Sequence, residues 1–386
     1  MTELERNEVL SIVIGGDIVP FGEGIQLFQE GSLNELIGDG LLSIINSSDY
    51  CVFNLEAPLI DDGSPIAKNG PALRAPLSTV KALSLMSPCA FSLANNHIMD
   101  YGEDGLASTI EALKCVDIPY FGAGLRLNDA VSPFVVKKKD FAVGFYSCTE
   151  HEFSIARYDY AGANPFDPLE SLDHIANLKE NCDYVVVLYH GGKEHYRYPS
   201  PMLQRTCRKI ADKGADLVVC QHSHCIGCKE DWNGSTIVYG QGNFLFDDGE
   251  NEFWQTSLLL EVSFDKTGVK VEYRPIRKQG PAIRLAHGVD AEEILLAFDM
   301  RSKQIAQPHF VEEEYTQFAG TMLNSYLNAF IPGSKTIVYR VVNRLFRGKL
   351  ASRIIGKRQI LSQINYIDCE AHRELFLTAL RERMKW

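Results

Sequence analysis

Five short apolar runs in this chain each stop abruptly at residues able to bind a metal ion. Residues 10–14 lead into Gly15-Gly16-Asp17, 50–53 into Asn54-Leu55-Glu56, 90–94 into Asn95-Asn96-His97, 184–188 into His190, and 216–220 into Gln221-His222-Ser223-His224. Short β-rich runs bounded by turn signals read as buried strands. Ligands of open α/β sheets collect beyond the carboxyl ends of such strands. The pattern therefore commits the chain to converge Asp, Glu, Asn and His on one rim, the composition of a hydrolytic metal site.

Between these runs lie segments with helical period. Residues 78–86, 105–115, 168–179 and 201–213 place apolar residues three or four apart, several opening on Asp, Ser or Pro, and Gly214 follows the last as a C′ glycine would. Strand and helix alternating over short connections predict an α/β layered fold. Further strands are expected at 141–146, 236–239, 257–264 and 269–273, the last two joined by a hairpin at Asp265-Lys266-Thr267-Gly268. A chain of 386 residues suits two domains better than one. Beyond about Gly280 the pattern turns helical, through 291–300, 312–329 and 336–364, so the division is placed there: 1–280 and a helical region 281–386. Pro332-Gly333 interrupts the later helices, and Gly348 and Gly356 divide the basic amphipathic stretch 336–364 into shorter ones.

Charge is distributed unevenly. From Tyr315 to Ile367 there are eight Lys or Arg and no acid, and residues 368–386 are balanced, so the net −12 places −20 on residues 1–314. An acidic body argues against a nucleic-acid substrate, which calls for a basic footprint. The basic stretch 336–364 has two competing placements: its apolar face on the acidic body, or its cations among the headgroups of an anionic membrane. The polar, acidic N-terminus lacks the pattern of a signal peptide, and no apolar run approaches the roughly 20 residues of a membrane span. The expected location is the cytoplasm, with peripheral contact to the membrane's inner face as the alternative. Ten scattered cysteines fit that compartment as reduced thiols; Cys225 and Cys228 form the one Cys-x-x-Cys, without the second pair a zinc site needs.

Taken one at a time, the rim residues have ordinary explanations. Asp17 after two glycines, or Glu56 after a strand, is as readily a helix cap or a turn residue. Asn95-Asn96-His97 is equally a strand terminator or a neutral oxygen ligand beside an imidazole, with Asp100 three residues on to accept from that ring. His222-x-His224 is the strongest single motif, since alternate residues can direct two imidazoles to neighbouring metal positions. His190 closes a similar run, with Glu194 and His195 just beyond.

The order of the motifs carries more than any one of them. Gly16-Asp17, Asn54-Leu55-Glu56-Ala57-Pro58, Leu93-Ala94-Asn95-Asn96-His97 with Asp100-Tyr101-Gly102, Gly122-Ala123-Gly124, His190-Gly191-Gly192-x-Glu194, Gln221-His222-Ser223-His224 and Gly242-Asn243-Phe244 resemble the CapA family of poly-γ-glutamate capsule proteins, itself similar to the calcineurin-like metallophosphoesterases. The resemblance spans about residues 10–248. It implies a four-layer α-β-β-α sandwich and one or two divalent metal ions, Mn first, with Zn, Fe or Mg as alternatives. Asp17, Glu56, Asn96, His190, His222 and His224 match its ligand positions. His97 matches the group that protonates or stabilises the leaving oxygen, oriented by Asp100. Arg74 falls where the family often has an arginine able to meet an anionic substrate, and it is equally a surface ion-pair partner. Two departures stand out: Val19 occupies the place of a usual histidine, and Glu56 that of the bridging aspartate.

These readings lead to a metal-dependent hydrolase of phosphoesterase type, working in capsule or other cell-envelope polymer synthesis on an anionic small molecule or polymer. Two alternatives accompany it: hydrolysis of the poly-γ-glutamate amide, and a non-catalytic accessory protein that uses the same pocket to bind an anionic polymer. Val19 favours the accessory role; the retained His97, Asp100, His190, His222 and His224 favour the enzyme.

Overall fold

Period-two alternation along the apolar runs sets the layers. In the computed structural model, which describes residues 9–86, 88–139, 141–246 and 249–384, strand β1 (Leu10–Val19) sends Leu10, Ile12 and Ile14 to one side and Val13 and Ile18 to the other. The N-terminal stretch 1–8 read above lies outside the described residues. Strands β2 (Tyr50–Leu55) and β3 (Cys89–Ser92) alternate the same way: Val52 and Ala90 join Ile12, while Cys51, Phe53 and Phe91 join Val13. A strand buried on both faces needs a layer on each.

One layer is a second sheet. Val143, Phe145, Val186, Leu188, Leu217 and Val219, from the strands Phe141–Thr149, Tyr184–His190 and Leu217–Gln221, close the inner cluster against β1–β3. The outer faces take helices. Leu36, Ile37 and Leu41 of Leu33–Ser47 and Leu106 and Leu113 of Gly102–Cys115 cover the first sheet; Ile175 and Leu178 of Ser171–Asn181 and Leu203 and Ile210 of Pro201–Asp212 cover the second. The result is the four-layer α-β-β-α sandwich expected from the sequence.

Among the described residues the first sheet has eight strands, in the order Ala282–Leu285, Gly268–Gln279, Thr256–Asp265, β1, β2, β3, Tyr120–Phe121, with Leu245–Phe246 paired to the far end of β1. The second has six: Lys229–Trp232, Ser235–Tyr239, Leu217–Gln221, Tyr184–His190, Phe141–Thr149, Phe134–Lys138. β1, β2 and β3 run parallel, as do the three strands that face them, so within each sheet these carboxyl ends share an edge. The helix Pro201–Asp212 returns the chain between two such strands and has the start its sequence called for, Pro201 in the first turn and the Ser200 hydroxyl accepting from Leu203 N at 3.0 Å.

The body extends to Val311, past the change of pattern near 280 at which the division was set. The short strand Ala282–Leu285 pairs with Gly268–Gln279, and the helix Gly288–Ile305 places Ile294 and Phe298 in the inner cluster, so one more strand and helix complete the sandwich. The second compact unit, 312–386, is helical: most of Phe310–Asn328, then Ile337–Leu345, Leu350–Ile354, Lys357–Asp368 and Glu370–Met384. Gly348 and Gly356 fall in two of its breaks, as expected. Its own core is small, with Leu327, Ala351 and Ile355 buried and Ile331 and Ile360 against them.

Candidate metal centre

Asp17 is aimed by a distortion in β1. The pairing register with β2 shifts between Ile14 and Asp17, so Gly15-Gly16 form a bulge. Glycine is required there: a Cβ at Gly15 would lie 2.2 Å from the Phe53 ring, and one at Gly16 would lie 2.0 Å from the Gly242 carbonyl oxygen. The carboxylate that follows is buried. Its Oδ1 accepts from Asn54 Nδ2 at 2.8 Å, and its Oδ2 lies 3.5 Å from His224 Nδ1.

Glu56, just past the end of β2, is fully buried, and neither carboxylate oxygen has a hydrogen-bond partner. His190 Nε2 comes within 3.2 Å of its Oε1, without hydrogen-bond geometry, and within 3.0 Å of Asn96 Oδ1. His222 and His224 follow Leu217–Gln221 with φ of 80° and 53°, a left-handed backbone that costs free energy at non-glycine residues and recurs at functional sites. Among the groups of ligand atoms that result, each within 4.8 Å of one another, two are built on buried residues throughout: Asp17, Glu56 and His224, and Glu56, His190 and His222. Glu56 belongs to both.

Electrostatics couple the groups. Burial would raise the Asp17 carboxyl, but His224, His190 and Asn54 outweigh it and hold the group below its ordinary value. Burial depresses the His190 and His224 imidazoles, yet Glu56 and Asp17 reverse this, raising His190 and taking His224 to about 9. His222 is pushed well down by burial and by the charges of His190 and His224, which keeps a lone pair available on its ring. Two buried carboxylates thus draw protons onto two imidazoles, and a divalent cation can supply the same positive charge through those side chains. The donor set fits a hard or borderline cation: carboxylate and amide oxygens with imidazoles that can bind when neutral, and in Glu56 a carboxylate common to both groups whose oxygens make no hydrogen bond.

Beside the ligands, His97 and Asp100 form the expected pair. A carboxylate only accepts, so the 2.6 Å contact between Asp100 Oδ2 and His97 Nδ1 favours a proton on Nδ1, with the Lys68 ammonium 3.2 Å from the same nitrogen. Asn95 holds this turn in place, its Oδ1 accepting from His97 N and Ile98 N while its Nδ2 donates to Leu55 O.

Sequence reasoning missed Lys68. Its buried ammonium pairs with Asp100 Oδ1, while Leu73 N donates to Asp100 Oδ2 at 2.6 Å, so one carboxylate ties the loop after β2 to the His97 turn. Nothing in the sequence marks a lysine in an unpatterned loop. Breaking a buried pair strands a charge, so Lys68→Met is expected to cost about 3 kcal/mol of stability in urea denaturation. A loss below about 1 kcal/mol, the range of a surface pair, would show that Leu73 and His97 satisfy Asp100 alone.

Other candidates fall outside the cluster. Arg74 is exposed, donating to Asp61 O at 2.9 Å with its guanidinium 5.4 Å from the Tyr101 ring centre. Among the described contacts none links it to the ligand groups. His195 accepts from Trp254 Nε1 at 3.0 Å and stacks on Phe253, forming part of an aromatic wall. Glu194 is better placed than its sequence context suggested, its carboxylate grouping with His222 and His224. Val19 is buried with Ala57 and Phe246 in an apolar patch, against which Phe21, Leu73 and Trp254 pack. Trp254 and Phe246 in turn lie 5.0 and 5.3 Å from the His224 ring, so apolar surface borders the first ligand group. Cys225 and Cys228 are buried free thiols, raised by burial above the ordinary range, which is the state of core cysteines rather than reactive ones.

Two face-to-face sheets between helical layers, with carboxylates and imidazoles gathered beyond the carboxyl ends of strands from both, define the class: a four-layer α-β-β-α protein with a candidate metal centre at the strand ends. Within that class the chain belongs to the bacterial capsule synthesis protein family PGA_cap, which it matches over residues 11–248. It is 30% identical over 276 residues to a PGA biosynthesis protein CapA of Bacillus subtilis, covering 70% of this chain and 72% of that one. It is 30% identical over 253 residues to a capsule biosynthesis protein CapA of Bacillus anthracis, covering 63% and 61%. A solved phosphatase structure from Mycoplasma pneumoniae is a distant match, with TM-score 0.44 and 15% identity over 71% of this chain and 95% of that one.

Proposed function

We propose that this chain is a metal-dependent hydrolase of phosphoesterase type, acting on an anionic intermediate of capsule polymer synthesis. The observation that carries the reading is Glu56, fully buried and shared by two ligand groups with neither oxygen hydrogen-bonded, an arrangement whose desolvation cost a bound cation would offset. Asp17, Glu56 and His224 would hold one ion; Glu56, Asn96, His190 and His222 a second. A divalent ion held there would supply a lower pKa for a water nucleophile and a counter-charge for the anionic substrate. With Nδ1 donating to Asp100 Oδ2, a His97 ring protonated also on Nε2 would have the proton a leaving oxygen needs.

Purified protein assayed with a nitrophenyl phosphate monoester and diester tests this. Hydrolysis should appear with Mn²⁺, vanish on chelation and return on adding metal back. Val19 supports a second reading, in which the first group, one donor short and bordered by apolar side chains, helps bind a polymer without cleaving it. Protein that carries metal and retains poly-γ-glutamate, yet hydrolyses neither ester nor the polymer's amides, would replace the enzyme with that reading.

A further inference from the structure

The second unit contains a helix with its faces reversed. In Ile337–Leu345 the polar positions turn inward: the Tyr339 hydroxyl donates to Asn328 Oδ1 at 2.7 Å, and Asn343 Oδ1 accepts from Leu350 N at 3.1 Å. At 3.6 residues per turn, Ile337, Val341 and Leu345 make one stripe, with Val338 beside it, away from Tyr339 and Asn343. Those four side chains are 73, 58, 79 and 74% exposed. The unit's small core, built on Leu327, Ala351 and Ile355, takes none of them.

We propose that this stripe docks on an anionic lipid bilayer. The charge around it selects that occupant. Arg340 and Arg344 run along one edge of the stripe, and the stretch from 315 to 367 carries eight cations and no acid. A second copy of the same surface would bring like charges together, whereas a bilayer with anionic headgroups neutralises the rim while its acyl boundary takes up Ile337, Val338, Val341 and Leu345. Among the described residues no helix is long and apolar enough to cross a membrane, so this helix would lie in the interface plane. The inference does not depend on the hydrolytic reading.

The test is co-sedimentation of the full-length protein with phosphatidylcholine vesicles, with and without phosphatidylglycerol. Binding is expected only with phosphatidylglycerol, at low salt, and reversed by high salt. Val341→Asp with Leu345→Asp, and separately Arg340→Glu with Arg344→Glu, should each weaken it on the order of tenfold or more. All four positions are exposed, so folding is spared, and circular dichroism checks that. Protein left in the supernatant with anionic vesicles at low salt overturns the proposal, as does binding unchanged in both double variants. Lipid-free self-association abolished by Val341→Asp with Leu345→Asp would also overturn it, assigning the stripe to a second copy.

Discussion

Changing His222 and His224 together to alanine is expected to remove bound metal while leaving the sandwich folded. Each proposed ion shares Glu56 with its neighbour and takes one imidazole from this pair, so the double variant removes a donor from both at once. The loss should exceed the ~10–100-fold that even supporting partners of ligands cost in affinity, and elemental analysis should find the purified variant essentially metal-free. The fold should survive because its stability lies elsewhere. Val186, Leu188, Leu217 and Val219 are fully buried between the sheets, and burying each such side chain contributes about 1.5–3 kcal/mol. Neither histidine belongs to that cluster. A bound ion also stabilises the native state by mass action, so the variant should melt below the metal-loaded wild type and close to the chelated wild type. Metal content unchanged from wild type would remove both residues from the ligand set.

The strands and their ends were legible because a buried parallel strand writes a dense apolar run into the sequence and the site begins where the run stops. Tyr184–His190 and Leu217–Gln221 were visible in this way, and His190 and His222 follow from them. The strand Ala282–Leu285 was not, since four residues with one arginine make no pattern until Gly268–Gln279 lies alongside. The same holds for the helix Leu33–Ser47, whose run is interrupted by Gly38 at positive φ. Within the cluster, residues placed by their own strand ends could be read from the sequence, and those placed by a distant loop could not. Lys68 acquires meaning only when its loop folds back on Asp100, and Trp254 only when it closes on the His224 ring. Arg74 shows the converse: a motif position suggested a substrate contact, and the folded loop gives its guanidinium to a carbonyl and an aromatic ring.

Replacing His97 with alanine should separate chemistry from binding. Asp17, Glu56, Asn96, His190, His222 and His224 account for both ligand groups without it, so metal content should match wild type. Turnover of an alkyl phosphate should nonetheless fall by ~10²–10⁴-fold, the usual contribution of a positioned acid or base. If Asp100 acts by accepting from Nδ1, Asp100→Asn should lower turnover as well, because a neutral amide gives less support to a ring protonated on both nitrogens, the form with an Nε2 proton to give. The loss in His97→Ala should be smallest for an ester whose leaving group needs no proton, such as nitrophenolate, and largest for an alkyl phosphate. That dependence on the leaving group distinguishes proton donation from a merely structural part, since a misfolded site would lose both esters alike. Loss of metal in His97→Ala would make the residue a ligand, and full activity on an alkyl ester would remove it from the reaction.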